Sequence, residues 1–529
     1  MIKKLKGWAL VIWILIVLVG YWIMLPPINP SSIAFWAFFL PVFFVPLFVV
    51  TQVFSLKEGF KKGKALWPVY LVIGCIAVYL LGSLLFSPVI NARHYTNRIT
   101  ITTADFEKNF NEVDFNNLPL LDKASSQKVG DRVVGQAADL VSQFSVSDEY
   151  SLINYRNEIV RVTPLEHNGF FKYLGNLRGT AGYVIVDCTT GDARLVRTQE
   201  GLKYLPSAYM LNDLTRHVRF HYPFENLGET SFEIDENGVP YWIIQTISYT
   251  WVNLRPQVSG IIAVNAMNGQ CHKYKVSEVP QWIDNVYDAS LVISEIDSWG
   301  LYQNGYLNSI FAQKNVVQTT DGYTYITADD DVFMYTGITS VSNDESNIGF
   351  VLVNLRTHQA DYFEIPGAEE FSAMDSAVGA VQEKNYISTF PLLIKLQGRP
   401  TYLVSLKDGA GLVKMYGFID VSNYQKVTVT DSSLGIVNAA NEYLKTYHAD
   451  VVVDEYFEDI MTVVTVSQAV VNGNTTYFIT DQNYNRYQLD INVDLSVTPF
   501  IGVNDTYKVK YYENGSLRVI VEIGAYYGE

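Results

Sequence analysis

The sequence predicts a three-helix membrane anchor followed by an α+β ectodomain, which has tandem helix-on-antiparallel-sheet modules and a small C-terminal β-barrel. Three observations predict this fold class: uncharged apolar runs before residue 91, a hairpin pattern that repeats through the middle of the chain, and five β-like runs within residues 460–523. The predicted domains are an anchor (1–92), a stalk (93–124), two pairs of modules (125–290 and 291–430) and a C-terminal helix with a barrel (431–529).

The anchor is predicted from Gly7–Leu25, Ile33–Phe54 and Ala65–Ile90, which contain no charged residue and no histidine. Each run reaches the roughly 20 apolar residues that a membrane-spanning helix needs. A cleaved signal peptide is the alternative for the first run, but no A-x-A-like site follows it. Because ion and proton pathways need polar groups inside the spans, we expect an anchor or docking surface and not a transporter.

Loop lysines predict the orientation of this anchor. They precede the first run and separate the second run from the third, at Lys3, Lys4, Lys6, Lys57, Lys61, Lys62 and Lys64. By the positive-inside rule the N-terminus is cytoplasmic, and residues from about 93 onward are extracytoplasmic. We therefore expect a multi-pass cell-membrane protein that has the lipid bilayer as a partner.

The charge of the outer region argues against nucleic acid as a partner. Residues 1–92 contain seven Lys and one Glu, so the rest of the chain has 31 basic and 53 acidic side chains, a net charge of −22. Such a field repels polyanions. Cys188 and Cys271 lie in this region, and two interpretations stay open: a disulfide of an exported protein, or two separate thiols in the core.

One hairpin pattern recurs along the outer region: a glycine, four mostly apolar residues, an Asp, Asn or Ser, a short polar turn and a second strand. The copies begin at Gly182, Gly260, Gly349 and Gly417. Side chains of Asp187, Asn265 and Asn354 are expected to accept hydrogen bonds from the backbone two residues on, while Gly191 and Gly269 supply a positive φ.

Each copy is preceded by a segment with helical spacing of apolar residues. These segments are Ser125–Ser142, Met210–His221, Ile293–Phe311 and Glu369–Glu383. The sequence therefore predicts four units in which a helix covers one face of an antiparallel meander.

This unit resembles the PepSY family of small exported bacterial domains. The residues that carry the resemblance are Val186–Gly191 (VDCTTG) and Val264–Gly269 (VNAMNG); the third and fourth copies lack the turn glycine. The resemblance implies a helix packed on a short antiparallel sheet. It also implies binding, such as restraint of an exported peptidase or sensing in the envelope, and it carries no catalytic residues.

The C-terminal segment has a different pattern. After a predicted helix at Ser433–Tyr447, five strand-like runs separated by turn signals resemble an OB-fold barrel. Residues 455–529 hold four basic and ten acidic residues, so the basic groove of a nucleic-acid-binding OB-fold is not expected. We expect a structural or protein-contact role for this barrel.

Candidate site residues are few. His217 and His221 are four apart on a predicted helix, so they share a face and can share a metal ion. Because Arg216 and Arg219 flank them and no third ligand is apparent, we interpret this face as solvated and predict no metal site. Asp329–Asp331 lack the spacing of an EF-hand and are interpreted as a hairpin tip.

Four tryptophans are candidates for contact with a peptide or sugar: Trp242, Trp251, Trp282 and Trp299. Packing in the core is the alternative for them. The chain contains none of the common hydrolase, zinc-protease, redox or nucleotide-binding motifs, so we predict no enzyme activity and no cofactor.

The predicted function is therefore a non-enzymatic binding or scaffold protein of the bacterial cell envelope, with an envelope protein or peptide as partner. Two alternatives stay open. One is a protease regulator or hydrolase whose site is assembled from distant residues, and the other is an accessory subunit of a larger membrane complex.

Overall fold

The computed structural model describes residues 2–58, 67–328, 330–341, 343–447, 457–471, 474–514 and 517–526. The chain forms two compact units, Met1–Val429 and Thr430–Glu529. Over the described residues it is a mixed helix-and-sheet protein with a closed β-barrel in the second unit, as the sequence predicts.

The N-terminal region is helical and apolar. Its helices are α1 (Ile2–Met24), α2 (Ile33–Glu58), α3 (Trp67–Leu85) and α4 (Pro88–Thr96). Within the described residues, no single helix has both the length and the hydropathy to cross a membrane; Val69–Leu85 and Pro88–Thr96 meet that criterion together, with a 50° bend between them. The three predicted spans are thus not confirmed, and Lys61, Lys62 and Lys64 lie outside the described residues.

Two antiparallel sheets follow. The first is preceded by α6 and has the strand order β2-β4-β5-β6, with β3 also paired to β4; the second is preceded by α8 and has the order β10-β9-β8-β7. The elements are α6 (Lys123–Gly135), β2 (Phe144–Val146), β3 (Ser151–Tyr155), β4 (Glu158–His167), α7 (Phe170–Gly175), β5 (Thr180–Asp187), β6 (Ala193–Leu202), α8 (Leu214–His221), β7 (Asn226–Ile234), β8 (Pro240–Trp251), β9 (Leu254–Asn265) and β10 (Cys271–Lys275).

Two further sheets complete the first unit. The third has the order β1-β15-β14-β13-β11, with β12 on β13 and β16 on β14; the fourth has the order β17-β19-β20-β21, with β18 on β19. The elements are α9 (Ala289–Tyr302), β11 (Val317–Thr319), β12 (Thr324–Ala328), β13 (Asp331–Ser340), β14 (Asn343–Asn354), β15 (Ala360–Phe363), β16 (Gly367–Ala368), α10 (Glu370–Gly379), β17 (Ile387–Ser388), β18 (Leu392–Leu396), β19 (Arg399–Lys407), β20 (Val413–Asp420) and β21 (Val427–Asp431).

The segment that was expected to be a stalk packs into these sheets. It contains β1 (Ile101–Ala104), which pairs in parallel with β15, and α5 (Phe106–Asn109). Its apolar side chains are buried, namely Ile99, Phe106, Leu118, Leu120 and Leu121. Burial of these side chains outweighs the polar composition of the residues between them, so residues 93–124 are part of the folded unit.

The repeated turns are confirmed in detail. In the first copy the N–H of Thr189 donates to Asp187 Oδ1 (2.8 Å), and in the second the N–H of Met267 donates to Asn265 Oδ1 (3.0 Å). Gly191 and Gly269 adopt φ of 81° and 76°. In the fourth copy the pattern that begins at Gly417 places the turn residue at Ser422. The turn begins earlier, at Asp420, whose Oδ1 accepts the Ser422 N–H (2.8 Å).

The second unit consists of α11 (Ile436–Tyr447) and a barrel. Its strands close in the order β22-β23-β24-β26-β25, and β24 and β26 are parallel. They are β22 (Phe457–Val471), β23 (Asn474–Asp481), β24 (Arg486–Asp490), β25 (Thr506–Asn514) and β26 (Leu517–Ala525). Inside lies a core of aromatic and branched side chains, among which Tyr487 and Leu489 are fully buried.

One core in the first unit combines side chains from several sheets. Leu152 of β3, Ile243 of β8 and Val353 of β14 belong to the same buried cluster. Shared burial of this kind joins neighbouring sheets into one packed body, because separating them would expose apolar surface to water.

Candidate functional site where the apolar helices meet the second sheet

The loop between α1 and α2 is held by hydrogen bonds to the second sheet and to the turn that follows α8. The N–H of Ile28 donates to the carbonyl of Pro223 (2.7 Å), and Asn29 Nδ2 donates to the carbonyl of Phe224 (3.0 Å). On its other side, Asn253 Oδ1 accepts the N–H of Ile33 (2.6 Å). Residues 28–33 are thereby bonded to the turn that follows α8 and to the β8–β9 hairpin.

Two arginines of α8 bind the end of α1. Arg219 Nε donates to the carbonyl of Leu25 (3.0 Å), and Arg216 Nη2 donates to the carbonyl of Trp22 (3.3 Å). The Arg216 guanidinium also lies 4.5 Å from the centre of a Trp22 ring. These cations satisfy carbonyls that the last turn of a helix leaves free and interact favourably with its dipole.

The β8–β9 hairpin tip packs on α3 and the residue that follows it. The Trp251 indole stacks on Phe86 with ring centres 5.6 Å apart, and its Nε1 donates to the carbonyl of Tyr79 (3.4 Å). This approach requires a glycine at position 82, because a Cβ there would lie 2.3 Å from the indole.

Next to this tip, α2 and α3 line a half-open cavity of about 980 Å³. Its walls include Trp36 and Leu40 of α2 and Leu71 and Ile76 of α3, and Trp251 forms part of its roof. Ser31 and Thr250 are polar residues at its lining, and among the described residues no Asp, Glu, Lys, Arg or His lines it. A space of this size and character suits an apolar ligand.

The four candidate tryptophans do not form one groove. Trp242 is fully buried in the core and donates to the carbonyl of Tyr204 (2.9 Å). Trp282 packs on Tyr241, and Trp299 packs near Tyr362. Trp251 is the candidate that lines the cavity.

His217 and His221 share one face of α8, as predicted, with ring centres 4.4 Å apart. Cys271, the first residue of β10, joins them: the ligand atoms of the three side chains all lie within 4.8 Å of one another. Sequence reasoning missed Cys271 because it is 50 residues beyond His221 and reaches the helix only through the turn at Gly269. The prediction of no metal site must therefore be reconsidered.

Burial affects the titration of this cluster. It lowers the pKa of His217, and it raises the pKa of the Cys271 thiol to about 11. Both cysteines outside the apolar helices are free thiols, and Cys188 is completely buried, so the disulfide alternative is wrong in this structure.

The aspartate cluster has a structural role where it is described. Asp331 binds the Arg356 guanidinium (2.6 Å) and accepts a hydrogen bond from Asn354 (2.7 Å), and Asp329 lies outside the described residues.

No protein-family model matches the chain, and no curated protein is significantly similar to it.

Proposed function

We propose that this chain is a membrane-anchored, extracytoplasmic and non-enzymatic binding protein of the bacterial cell envelope, which holds the hydrocarbon chain of a bilayer lipid beneath Trp251. The observation that carries the proposal is the half-open apolar cavity that α2, α3 and the hairpin tip line together. One wall of the site belongs to the anchor, and its roof belongs to the outer region.

Exposed apolar side chains support placing these helices in a bilayer. Large apolar residues of α1 and α3 are more than half exposed, among them Ile16, Leu18, Ile23, Ile73, Leu80 and Leu81. A surface of this kind in water would be an interaction or aggregation site. Lipid covers it without cost, and the same lipid has direct access to the cavity between the helices.

The contacts with the second sheet support the orientation proposed from the lysines. The end of α1, the start of α2 and the end of α3 all lie against that sheet or its helix. Lys3, Lys4 and Lys6 lie at the start of α1, at its opposite end. The helix ends at the sheet and the lysines at the other end of α1 are both accounted for when the N-terminus is cytoplasmic and the sheet region is extracytoplasmic.

The architecture also supports binding. Four helix-then-sheet segments and a closed five-stranded barrel support the proposed PepSY-like modules and OB-like barrel. A shared core holds the first three sheets as one body, which suits a rigid interaction surface. The net negative charge outside the anchor opposes nucleic acid.

The hydrocarbon chain is favoured over a polar ligand because charged groups are missing from the described lining of the cavity. Burial of a sugar or peptide there would leave its polar groups without hydrogen-bond partners, at a cost of about 1–3 kcal/mol each.

The test uses the full-length protein purified in a mild detergent and a photoactivatable fatty-acyl lipid. Gly74 lines the cavity, and a Cβ added there meets no atom within 4 Å. Gly74→Phe should therefore fill the cavity without disturbing the fold and reduce cross-linking several-fold. Val69→Phe, which places the same aromatic side chain on α3 outside the lining, is the control.

Equal cross-linking of the two variants would contradict the lipid site. A co-purifying membrane protein whose helix cross-links to Gly74→Cys would favour the accessory-subunit alternative.

A separate experiment tests the orientation. Tyr484 is 87% exposed in the barrel, so Tyr484→Cys should react with a membrane-impermeant maleimide on intact cells. Labelling only after permeabilisation would refute the proposed orientation.

A further inference from the structure

We infer that His217, His221 and Cys271 form a binding site for one soft or borderline transition-metal ion, Zn²⁺ or Cu⁺. This inference goes beyond the proposed lipid site, because none of the three residues lines that cavity. The two sites fail or succeed independently.

The local fold brings the three side chains together for separate reasons. Asp213 caps α8 by accepting the Arg216 N–H (2.7 Å), and the four-residue spacing then places both imidazoles on one face. Opposite this face, the turn of the β9–β10 hairpin delivers Cys271 two residues after Gly269. The positive φ of Gly269 and its close approach to the Tyr204 ring set the position of that turn.

Backbone carbonyls orient both imidazoles. His217 Nε2 is 2.7 Å from the carbonyl oxygen of Gly269, and His221 Nδ1 is 2.8 Å from that of His217. In each ring the nitrogen that donates to a carbonyl leaves the other nitrogen as a lone-pair donor. Metal-binding histidines are commonly held in this way, because the carbonyl fixes both the tautomer and the ring orientation.

The separations are close to those of a bound site. With metal–nitrogen bonds of about 2.0 Å and a metal–sulfur bond of about 2.3 Å, tetrahedral ligand atoms lie about 3.4–3.7 Å apart. The three ligand atoms lie within 4.8 Å of one another, so binding requires a contraction of about 1 Å at most.

The flanking cations do not oppose metal binding. Arg216 and Arg219, which argued against the site in the sequence, are directed to the carbonyls of α1 on another face of α8. Lys273, two residues after Cys271, is paired with Glu225 at 2.5 Å.

The donor set selects the class of metal. Two imidazoles and one thiolate favour Zn²⁺ or Cu⁺ over the oxygen-seeking Mg²⁺ and Ca²⁺. Three protein ligands leave a further position open for water or an exchanging ligand on the exposed side of His221, which suits uptake or transfer of the ion.

The test uses full-length protein in detergent, stripped of metal and titrated with Co²⁺ as a spectroscopic probe and then with Zn²⁺ and Cu⁺. One equivalent of Co²⁺ should produce thiolate-to-cobalt charge-transfer absorption, which Zn²⁺ removes. Cys271→Ser should abolish that absorption, and His221→Asn should weaken Zn²⁺ binding at least tenfold.

Two matched controls accompany these variants. His272→Asn alters the neighbouring exposed imidazole, and Cys188→Ala removes the other free thiol outside the anchor; neither should alter binding. Zn²⁺ should also protect Cys271 from alkylation in the wild type and not in His221→Asn. Absence of charge-transfer absorption in the wild type, or equal Zn²⁺ affinity in Cys271→Ser and the wild type, would overturn the inference.

Discussion

Arg98 and Glu295 form an ion pair of 3.5 Å in which both side chains are almost completely buried, with 4% and 2% of their surface exposed. Arg98 follows α4, and Glu295 lies in the middle of α9. His358 Nε2 approaches the other carboxylate oxygen of Glu295 at 2.8 Å. The segment that follows the apolar helices is therefore bonded to α9 by a buried ion pair, and Glu295 also contacts the β14–β15 turn through His358.

Removing one partner of this pair should be strongly destabilising. Glu295→Ala leaves the Arg98 guanidinium buried without its counter-ion, which typically costs about 3–5 kcal/mol. Thermal unfolding of the detergent-solubilised protein measures the loss. Lys275→Ala, in a largely exposed ion pair with Glu278, is the control and should have little effect; similar midpoints for both variants would contradict the prediction.

The turn glycines differ in their surroundings, which predicts unequal effects of alanine. Gly269 and Gly398 have φ of 76° and 74°, but an added Cβ meets the Tyr204 ring at 2.4 Å at position 269 and no atom within 4 Å at position 398. Gly398→Ala should cost about 1 kcal/mol from backbone strain alone. Gly269→Ala should cost clearly more in chemical unfolding; equal losses would show that the ring moves aside freely.

The raised pKa of the buried Asp284 side chain predicts that the stability of the protein depends on pH. Burial, with the neighbouring Glu233 carboxylate, raises the pKa of Asp284 well above its ordinary value. The folded state therefore binds the proton more tightly than the unfolded state, and this group's contribution to stability falls as pH rises from the ordinary carboxyl pKa to the raised one.

Asp284→Asn mimics the protonated acid and should flatten that fall in unfolding midpoints measured across the pH range. Glu233→Gln is the comparison. The Glu233 carboxylate oxygens accept hydrogen bonds from the Ser231 hydroxyl, the Asp284 backbone N–H and the Asn285 side chain. The substitution should therefore destabilise the protein. A steeper pH dependence in Asp284→Asn than in the wild type would refute the assignment.

Asn253 should control how firmly the α1–α2 loop is held. Its side chain accepts the N–H of Ile33, its own N–H donates to the carbonyl of Ser31 (2.9 Å), and its φ is 53°. Asn253→Ala should speed hydrogen exchange of the Ile33 amide, since it removes the acceptor and strains the backbone. Asn253→Gly removes the acceptor alone and should have a smaller effect; unchanged exchange in both variants would contradict this role.

The hairpin of the third repeat could be predicted from its sequence only in part. Its turn lacks the expected glycine, and His358 adopts the left-handed conformation instead, with φ of 65°. The imidazole then stacks on Tyr287 (4.1 Å between ring centres) and contacts Glu295. The strand–turn–strand unit is predictable there from Gly349–Asn354, whereas the reason for a histidine in its turn is a contact from a distant helix.

Features that depend on neighbouring residues could be predicted from the sequence. The apolar runs, the turns at Asp187 and Asn265, the pairing of His217 with His221 and the strands of the barrel all follow from local periodicity and hydrogen bonding. Contacts between distant segments became visible in the folded chain: the burial of the expected stalk, the Arg98–Glu295 pair and the position of Cys271 beside the two histidines. These contacts join residues far apart in sequence, and packing of the whole core, which no local pattern encodes, selects them.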